Sequence, residues 1–152
     1  MMLSSQVEPW KDFIKEAKPL LPIHYEELAL EKDRVPLDPM YEIYDQRDSQ
    51  EQVLVITVRE DGALIGYFIG FIAPGLHYRT CLTLTMDIFY IHPQHRMQGA
   101  GTLLFSTVEQ EAKRRGVNRL FVGSKNHKSS EFLFMKLGYT PVETYYSTWL
   151  GD

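Results

Sequence analysis

The stretch that decides the fold is Asp87–Thr102, which reads DIFYIHPQHRMQGAGT. Its first residues predict the end of a strand, the pair His92-Pro93 predicts a turn, and Gly99 and Gly101 stand where a helix begins. A helix start leaves several backbone N–H groups unpaired, and the helix dipole favours negative charge there. Because glycine lets a phosphate approach the backbone closely, the stretch predicts a pyrophosphate site, with Arg96 as a charged donor.

Two common phosphate-binding motifs are absent from this stretch. A P-loop would continue as Gly-Lys-Ser/Thr, whereas Gly101 is followed by Thr102 and Leu103. A dinucleotide-binding GxGxxG would need a third glycine where Leu104 stands. What remains is Arg-x-x-Gly-x-Gly between a strand and an amphipathic helix.

The composition predicts one globular domain over residues 1–152, with 44% hydrophobic and 24% charged residues. The lone cysteine, Cys81, excludes an internal disulfide and a cysteine-based zinc site, and the histidines lack metal-ligand spacing. No apolar run reaches the roughly 20 residues of a membrane span, and no secretory leader is evident. We therefore expect a cytoplasmic protein that binds no membrane and no metal. The absence of a basic stripe argues against nucleic acid.

The hydrophobic spacing outside the motif predicts the order ααβββαβαβ. Prolines 19 and 22 divide residues 7–31 into two helices, and a short helix is expected over 40–44. The remaining elements are strands over 53–59, 63–72 and 81–91, a helix ending at Gly116, a strand over 119–124, a helix over 129–137 and a strand over 139–150. A hairpin meander followed by a crossover indicates an α/β (α+β) fold, a mixed central β-sheet flanked by helices.

Charge is unevenly distributed along the chain. Residues 1–61 contain 14 acidic and 7 basic residues, whereas residues 62–152 contain 6 acidic and 9 basic residues. An anionic ligand would suit the second part and a cationic ligand the first.

The motif residues Arg96, Gly99 and Gly101 match the acetyl-CoA signature Arg/Gln-x-x-Gly-x-Gly/Ala of the GNAT superfamily of N-acetyltransferases, which this chain resembles. Two further segments match in the same order: Asp87 followed by Phe-Tyr-Ile-His-Pro over residues 89–93, and Lys-Leu-Gly-Tyr over residues 136–139. The resemblance implies a GNAT-like fold. It also implies an acyltransferase that moves the acetyl group of acetyl-CoA, its co-substrate, to a primary amine by direct attack in a ternary complex.

The resemblance also implies a cofactor site. The backbone of Phe89, Tyr90 and Ile91 would bind the pantetheine arm, with an N–H near Phe89 polarising the thioester carbonyl. The loop amides would hold the pyrophosphate, and they belong to Arg96, Met97, Gln98, Gly99, Ala100, Gly101 and Thr102. The set is completed by Asn126 or His127, where the family has an asparagine, and by Phe134, where many members have a tyrosine that acts as general acid.

Two residues are candidates for the general base that an amine requires. Asp87 stands where the family usually has a glutamate, and strand alternation predicts that it shares a face with Thr85, Phe89 and Ile91. The alternative for Asp87 is a structural hydrogen-bonding role. His77 is the second candidate, because histidine as a residue type is a common general base and this one lies in a turn-rich loop; the alternative is an ordinary surface histidine.

The acceptor amine is the least determined part of the prediction. The family places it near residues 24–44 and 76–78, where carboxylates and tyrosines would suit a basic acceptor: a protein lysine, a polyamine or an aminoglycoside. The chain also resembles phage-encoded GNAT proteins through residues 36–38, 77–78 and 138–139. This resemblance makes a lysine of a host or phage protein a further candidate acceptor. A homodimer is one expectation for the oligomeric state. The competing hypothesis is a non-catalytic acyl-CoA binding or regulatory module, favoured by Phe134, which cannot donate a proton.

Overall fold

The computed structural model describes residues 2–152, and its centre is a five-stranded sheet in the order β1-β2-β3-β4-β5. Strands β1 to β4 pair antiparallel with their neighbours, while β5 runs parallel to β4. This mixed sheet, with helices on its faces, confirms the predicted fold class. The strands are Leu3–Val7 (β1), Val53–Glu60 (β2), Ala63–Gly75 (β3), Tyr78–Ile91 (β4) and Arg119–Phe121 (β5).

Helices cover the two faces of the sheet. The first three precede β2 in the chain, α4 connects β4 to β5, and α5 follows β5. Short 3-10 turns stand at Lys18–Leu20 and Pro93–His95. The helices are Trp10–Ala17 (α1), Leu21–Leu28 (α2), Tyr41–Ser49 (α3), Ala100–Arg114 (α4) and Glu131–Lys136 (α5).

Strand β2 shows how the core is divided. Its residues are buried from Val53 to Val58, because both faces of the strand are covered. Leu54 and Ile56 pack in one hydrophobic cluster, which includes α4. Val53 and Val55 pack in the second cluster, which includes α1. Strand β4 likewise lies between the two clusters, with Ile91 in the first and Tyr90 in the second.

The predicted element order is wrong at both ends of the chain. Strand β1 was not predicted, because its sequence LSSQV is mostly polar and it is held by backbone pairing with β2. The strand predicted over 139–150 does not form: Tyr145 and Tyr146 are 87% and 94% exposed, and no strand is assigned there. Strand-forming residues need a partner strand, and none pairs with this segment.

Boundaries differ elsewhere in smaller ways. Helix α3 continues to Ser49 instead of ending at 44, and the first helix begins at Trp10. Strand β3 extends to Gly75 and β4 begins at Tyr78, so the predicted loop over 73–79 shrinks to a tight turn. The long β3–β4 hairpin carries His77 at its tip.

Three features bear on membranes, thiols and metals. Within residues 2–152 no helix is long and apolar enough to cross a membrane. Cys81 is a free, half-buried cysteine. In the same part of the chain, no three His, Cys, Asp or Glu side chains come together as metal ligands.

Candidate active site

Strands β4 and β5 separate at the position of Asp87. Their parallel pairing ends with Thr85 opposite Phe121, although β4 continues to Ile91. On its other side β4 is paired with β3 throughout, but the register skips Asp87, which is the extra residue of a β-bulge. The strand edge beyond Asp87 is consequently open on the side where β5 would lie.

The bulge changes the direction in which the side chains of β4 point. Phe89 and Ile91 pack in the cluster of α4, whereas the carboxylate of Asp87 accepts a hydrogen bond from Tyr44 of α3 on the opposite face. Thr85 lies opposite Phe71, which packs with the α1 cluster. The prediction that Asp87 shares a face with Phe89 and Ile91 is therefore wrong, because an inserted residue inverts the alternation of a strand.

A cleft of about 400 Å³ opens where the two strands separate. One wall is the free edge of β4, the floor is the N-terminus of α4, and the other wall is the segment from Gly123 to Lys136. Most of its lining is apolar. We call it the cofactor cleft, and its predicted site residues are Asp87, Phe89, Tyr90, Ile91, Arg96, Met97, Gly99, Gly101 and Thr102.

Gly99 and Gly101, at the floor of the cleft, require glycine for different structural reasons. Gly99 is the N-cap of α4 with φ +80°, a conformation that disfavours side chains, and open space lies where its Cβ would be. Gly101 is buried, and a Cβ there would lie 3.0 Å from Leu133 Cδ2 of α5. The N–H of Leu103 bonds the Gly99 carbonyl, so the N–H groups before it in the first turn are available to a ligand.

Two predicted loop residues lie beside the cleft rather than in its lining. Ala100 is fully buried in the α4 core cluster. Gln98 uses its backbone N–H to donate to the His95 carbonyl at 3.2 Å. The loop is therefore shaped partly by its own turn and partly by the packing of α4.

The side chain of Arg96 lines the cleft and also bonds two other parts of the chain. Its Nε donates to the Ile91 carbonyl at 2.8 Å, and its NH2 group donates to the Glu27 carboxylate at 2.5 Å. The hydrogen bond from Arg96 is the main cause that lowers the pKa of Glu27. Arg96 therefore links the loop to α2, and its role as a charged donor to a phosphate stays a prediction.

A second contact fixes α2 against β4. The buried ring of His24 stacks on Tyr90 with 3.7 Å between centroids, and its Nδ1 lies 2.7 Å from the Tyr67 hydroxyl. Burial lowers the pKa of His24, which favours the neutral imidazole. Together with Glu27, these contacts hold helix α2 against the strand that borders the cleft.

Positive charge in the cleft comes from lysines that the sequence analysis did not assign. Lys125, Lys128 and Lys136 line it together with two serines, Ser129 and Ser130. Desolvation lowers the pKa of Lys125, whose Nζ donates to the Leu28 carbonyl at 2.9 Å. A sequence signal existed in the polar run SKNHKSS, but its spacing alone matches no phosphate motif.

Asp87 lines the cleft and its side chain is exposed to solvent there, while protein atoms cover its other sides. Desolvation raises the pKa of its carboxyl group, and the hydrogen bond from Tyr44, 2.5 Å long, opposes that rise. The Tyr44 ring stacks on Trp10 at 4.7 Å, and Trp10 Nε1 donates to Asp45 at 2.8 Å. Tyr44 therefore presents its hydroxyl to Asp87 from a fixed position.

His77 does not lie in the cofactor cleft. It lines a second cavity near the tip of the β3–β4 hairpin. Ten residues separate it from Asp87, which corresponds to roughly 30 Å along the strand at about 3.3 Å per residue. At that distance His77 cannot take a proton from an amine held at Asp87, so the structure argues against the predicted catalytic role.

The sequence model of the acetyltransferase (GNAT) family matches residues 13–139. The chain belongs to this family. As a GNAT protein it is an acetyl-CoA-dependent acyltransferase, as the motif predicted. No curated protein matches this chain at a significant level.

Solved structures with the same fold include several GNAT proteins. A ribosomal-protein-alanine N-acetyltransferase from Brucella melitensis biovar Abortus 2308 is 18% identical, with a TM-score of 0.76 and full coverage of both chains. An aminoglycoside acetyltransferase, HMB0005, from an uncultured soil metagenomic sample is 15% identical, with a TM-score of 0.75, covering 99% of this chain and 100% of that one. AAC(6')-Iy with a bisubstrate analogue is 12% identical, with a TM-score of 0.70 and full coverage of both chains. At these identities the likeness establishes the fold.

Two positions depart from the usual GNAT pattern. Phe134 is buried, and its ring packs against Phe105 at 5.4 Å and Tyr139 at 5.9 Å, so it belongs to the core rather than to the cleft lining. Asn126 is also absent from that lining, and the neighbouring His127 ring lies 3.1 Å from the Leu28 carbonyl. The predicted cofactor contacts of Phe134 and Asn126 are therefore not supported by their positions.

Proposed function

We propose that this chain transfers the acetyl group of acetyl-CoA to a primary amine by direct attack in a ternary complex, with Asp87 as the general base. The observation that carries the proposal is the β-bulge at Asp87. It turns the carboxylate toward the face opposite α4 at the point where the open edge of β4 begins. A thioester on that edge and an amine on that face would meet at Asp87.

The N-terminus of α4 is the proposed binding site for the pyrophosphate. The free N–H groups of the first helical turn and the dipole of a 15-residue helix both favour an anion there. The open space above Gly99 leaves room for phosphate oxygens. Lys136 adds positive charge along the cleft wall, and so does Lys128, whose Nζ lies 3.6 Å from the Glu27 carboxylate.

The free edge of β4 is the proposed binding site for the pantetheine arm. The Ile91 carbonyl bonds the Arg96 side chain, so it points away from β3. Backbone groups of alternate residues point the same way in an antiparallel strand, so the N–H of Phe89 also faces the cleft. That N–H is our candidate for polarising the thioester carbonyl, as an oxyanion donor does.

Proton transfer is assigned to Asp87 alone. An ammonium has a pKa near 10, so the attacking amine must lose a proton. A carboxylate whose pKa is raised by desolvation accepts that proton more readily than an ordinary aspartate. The thiol of the leaving group has a pKa of about 8.5, so it can depart as a thiolate without the general acid that Phe134 cannot supply.

Tyr44→Phe should move the acidic limb of the pH–rate profile to higher pH. The Tyr44 hydroxyl stabilises the Asp87 carboxylate, and its removal raises the pKa of that carboxyl further. Since the base acts in its ionised form, kcat/KM would then fall at a higher pH than in the wild type. The phenylalanine ring keeps the stacking on Trp10.

Tyr41→Phe is the matched control for this change. Tyr41 also lies on α3, but its ring lies under the Lys18 ammonium at 4.4 Å. Steady-state rates across a pH series would show the shift in Tyr44→Phe only. An unshifted limb in Tyr44→Phe would mean that Asp87 does not control the rate.

The proposed function is tested by acetyl-CoA turnover with a panel of amines, read as release of free thiol. The panel should include an aminoglycoside and a peptide with an N-terminal alanine, because proteins of similar fold are named for such acceptors. Protein lysines, a polyamine and short amino acids complete it. Mass spectrometry of acetylated products from cells expressing the chain, beside a Gly99→Glu control, identifies acceptors outside the panel. Tight CoA binding without turnover on any amine would contradict the proposal.

A further inference from the structure

A second cavity, of about 620 Å³, lies on the sheet near the tip of the β3–β4 hairpin. Its walls come from β3, β4, β5 and the C-terminal segment, and they are rich in aromatic rings. The lining residues that matter here are Phe71, Tyr78, Thr85, Arg119, Phe121 and Glu143. None of these residues lines the cofactor cleft.

This cavity continues toward Asp87 along one face of the sheet. Phe71 and Thr85, which line it, lie opposite each other on β3 and β4. The Tyr44 ring lies 5.5 Å from the Phe71 ring, and its hydroxyl bonds Asp87. A ligand in the cavity could therefore extend along Thr85 and place one end at the proposed base.

Two guanidinium groups on this side of the sheet are held by aromatic rings and not by carboxylates. Arg119 lies over Phe121 at 4.9 Å and over Tyr78 at 5.4 Å, and Arg47 lies over Phe71 at 4.4 Å. Among residues 2–152, neither arginine forms a salt bridge. A guanidinium stacked on a ring keeps its in-plane N–H donors available, and these match a carboxylate or phosphate.

Two of the carboxylates that suggested a cationic acceptor are paired elsewhere. Glu27 bonds Arg96 and Glu26 lies 3.7 Å from Lys32, so neither faces the cavity. Glu143 is the carboxylate in the lining, and its hydrogen bond raises the pKa of Tyr145. Within this cavity the guanidinium of Arg119 would repel the additional charges of a polycation.

We propose that the acceptor carries an acid group as well as its amine, with an apolar or aromatic portion between them. The acid group binds Arg119, the apolar portion lies against Phe71 and Phe121, and the amine reaches Asp87. This inference rests on the proposed acetyl transfer. Arg119 is opposite Thr83, four residues before Asp87, so the two ends of the acceptor are separated by roughly 13 Å at about 3.3 Å per residue, less the reach of the arginine side chain.

Three amines of equal length test the inference: ω-aminooctanoate, ω-aminooctanamide and diaminooctane, whose far ends are anionic, neutral and cationic. We expect kcat/KM about fivefold higher for the carboxylate than for the amide, and lowest for the diamine, because the roughly 1 kcal/mol of one exposed ion pair corresponds to about a fivefold ratio. Arg119→Gln should remove this preference through KM for the amine, with KM for acetyl-CoA unchanged. Arg114→Gln makes the same charge change at the far end of α4 and should leave the preference intact. Equal rates for the three amines, or an unaltered preference in Arg119→Gln, would overturn the inference.

Titration calorimetry on CoA-saturated protein separates this inference from the proposed function. Tighter binding of ω-aminooctanoate than of diaminooctane, lost in Arg119→Gln, would support the acidic acceptor even if none of the three amines were acetylated. The lack of acetylation would in that case contradict the proposed acetyl transfer and not the acidic acceptor. Turnover of several amines with no preference for the acid would leave acetyl transfer intact and reject the acidic acceptor.

Discussion

Gly99→Glu is expected to raise the dissociation constant of acetyl-CoA at least about 100-fold, which corresponds to about 2.7 kcal/mol. The wild-type residue leaves open space above the first turn of α4, on the side where a phosphate would contact the N–H groups. A glutamate there places a methylene chain and a negative charge in that space. Its carboxylate also competes for the same N–H donors, as an acidic N-terminal residue does in other helices. Titration calorimetry with CoA measures the loss.

Gly116→Glu is the control, because it stands at the other end of the same helix in nearly the same backbone conformation. Its φ is +82° beside +80° for Gly99, and a Cβ at either site meets open space. Both variants bear a similar strain of about 1–2 kcal/mol from a side chain at positive φ, and the glutamate charge is unfavourable at the C-terminus of the helix, so Gly116→Glu should lower the Tm at least as much as Gly99→Glu. Loss of CoA binding in Gly99→Glu with binding retained in Gly116→Glu would support the proposed pyrophosphate site at the N-terminus of α4. Retained affinity in Gly99→Glu would contradict the assigned pyrophosphate position.

Asp87→Asn is expected to lower kcat/KM by about 100-fold or more and to remove the acidic limb of the pH profile. General-base catalysis contributes about 10²–10⁴ to a rate, and an amide cannot take up the proton of the attacking amine. In the wild type the rate should fall as the pH drops through the raised pKa of Asp87, because only the ionised form acts as a base. A variant without the base has no such limb. An acidic limb that persists in Asp87→Asn would exclude Asp87 as the titrating group.

The same substitution should not weaken the fold at neutral pH. Desolvation raises the native pKa of Asp87 above its unfolded value, so the group favours the native state when protonated. This contribution is complete below the unfolded pKa and is lost as the pH rises through the native pKa. At pH 7 the ionised carboxylate therefore slightly lowers the free energy of unfolding. The neutral asparagine can still accept the hydrogen bond from Tyr44. An unchanged or slightly raised Tm, with lost activity, would separate catalysis from folding.

Much of the cofactor site could be predicted from local sequence, because local groups form it. The loop from Arg96 to Thr102 lies between a strand and a helix, and its backbone amides are placed largely by local features: its own turn, the helix geometry and the conformation of Gly99. The buried strand β2 was equally predictable, since β-branched residues that face two cores form a continuous apolar run. The helix end at Gly116 followed from its basic last turn.

Other parts depended on contacts between residues far apart in the chain. Arg96 appeared free in the sequence, but folding pairs it with Glu27, 69 residues away. Lys125 and Lys128 reach the cleft because a segment without a recognisable motif crosses the open edge of β4. The segment after Tyr139 has strand-forming residues, yet no neighbouring strand pairs with it. Propensity describes one segment, whereas pairing requires a second segment at the correct distance.

Asp87 shows most clearly what the sequence alone could predict and what depended on the tertiary structure. The sequence by itself determined that a carboxylate would lie on the motif strand, just ahead of the helix start that is the proposed pyrophosphate site. Only the tertiary structure decided which way that carboxylate points. The register between β3 and β4 shifts by one residue at Asp87, so Asp87 points to the face of Thr85 and Tyr44, whereas Phe89 and Ile91 point to the opposite face. A bulge arises from the pairing of two strands, so the pattern of one strand cannot reveal it.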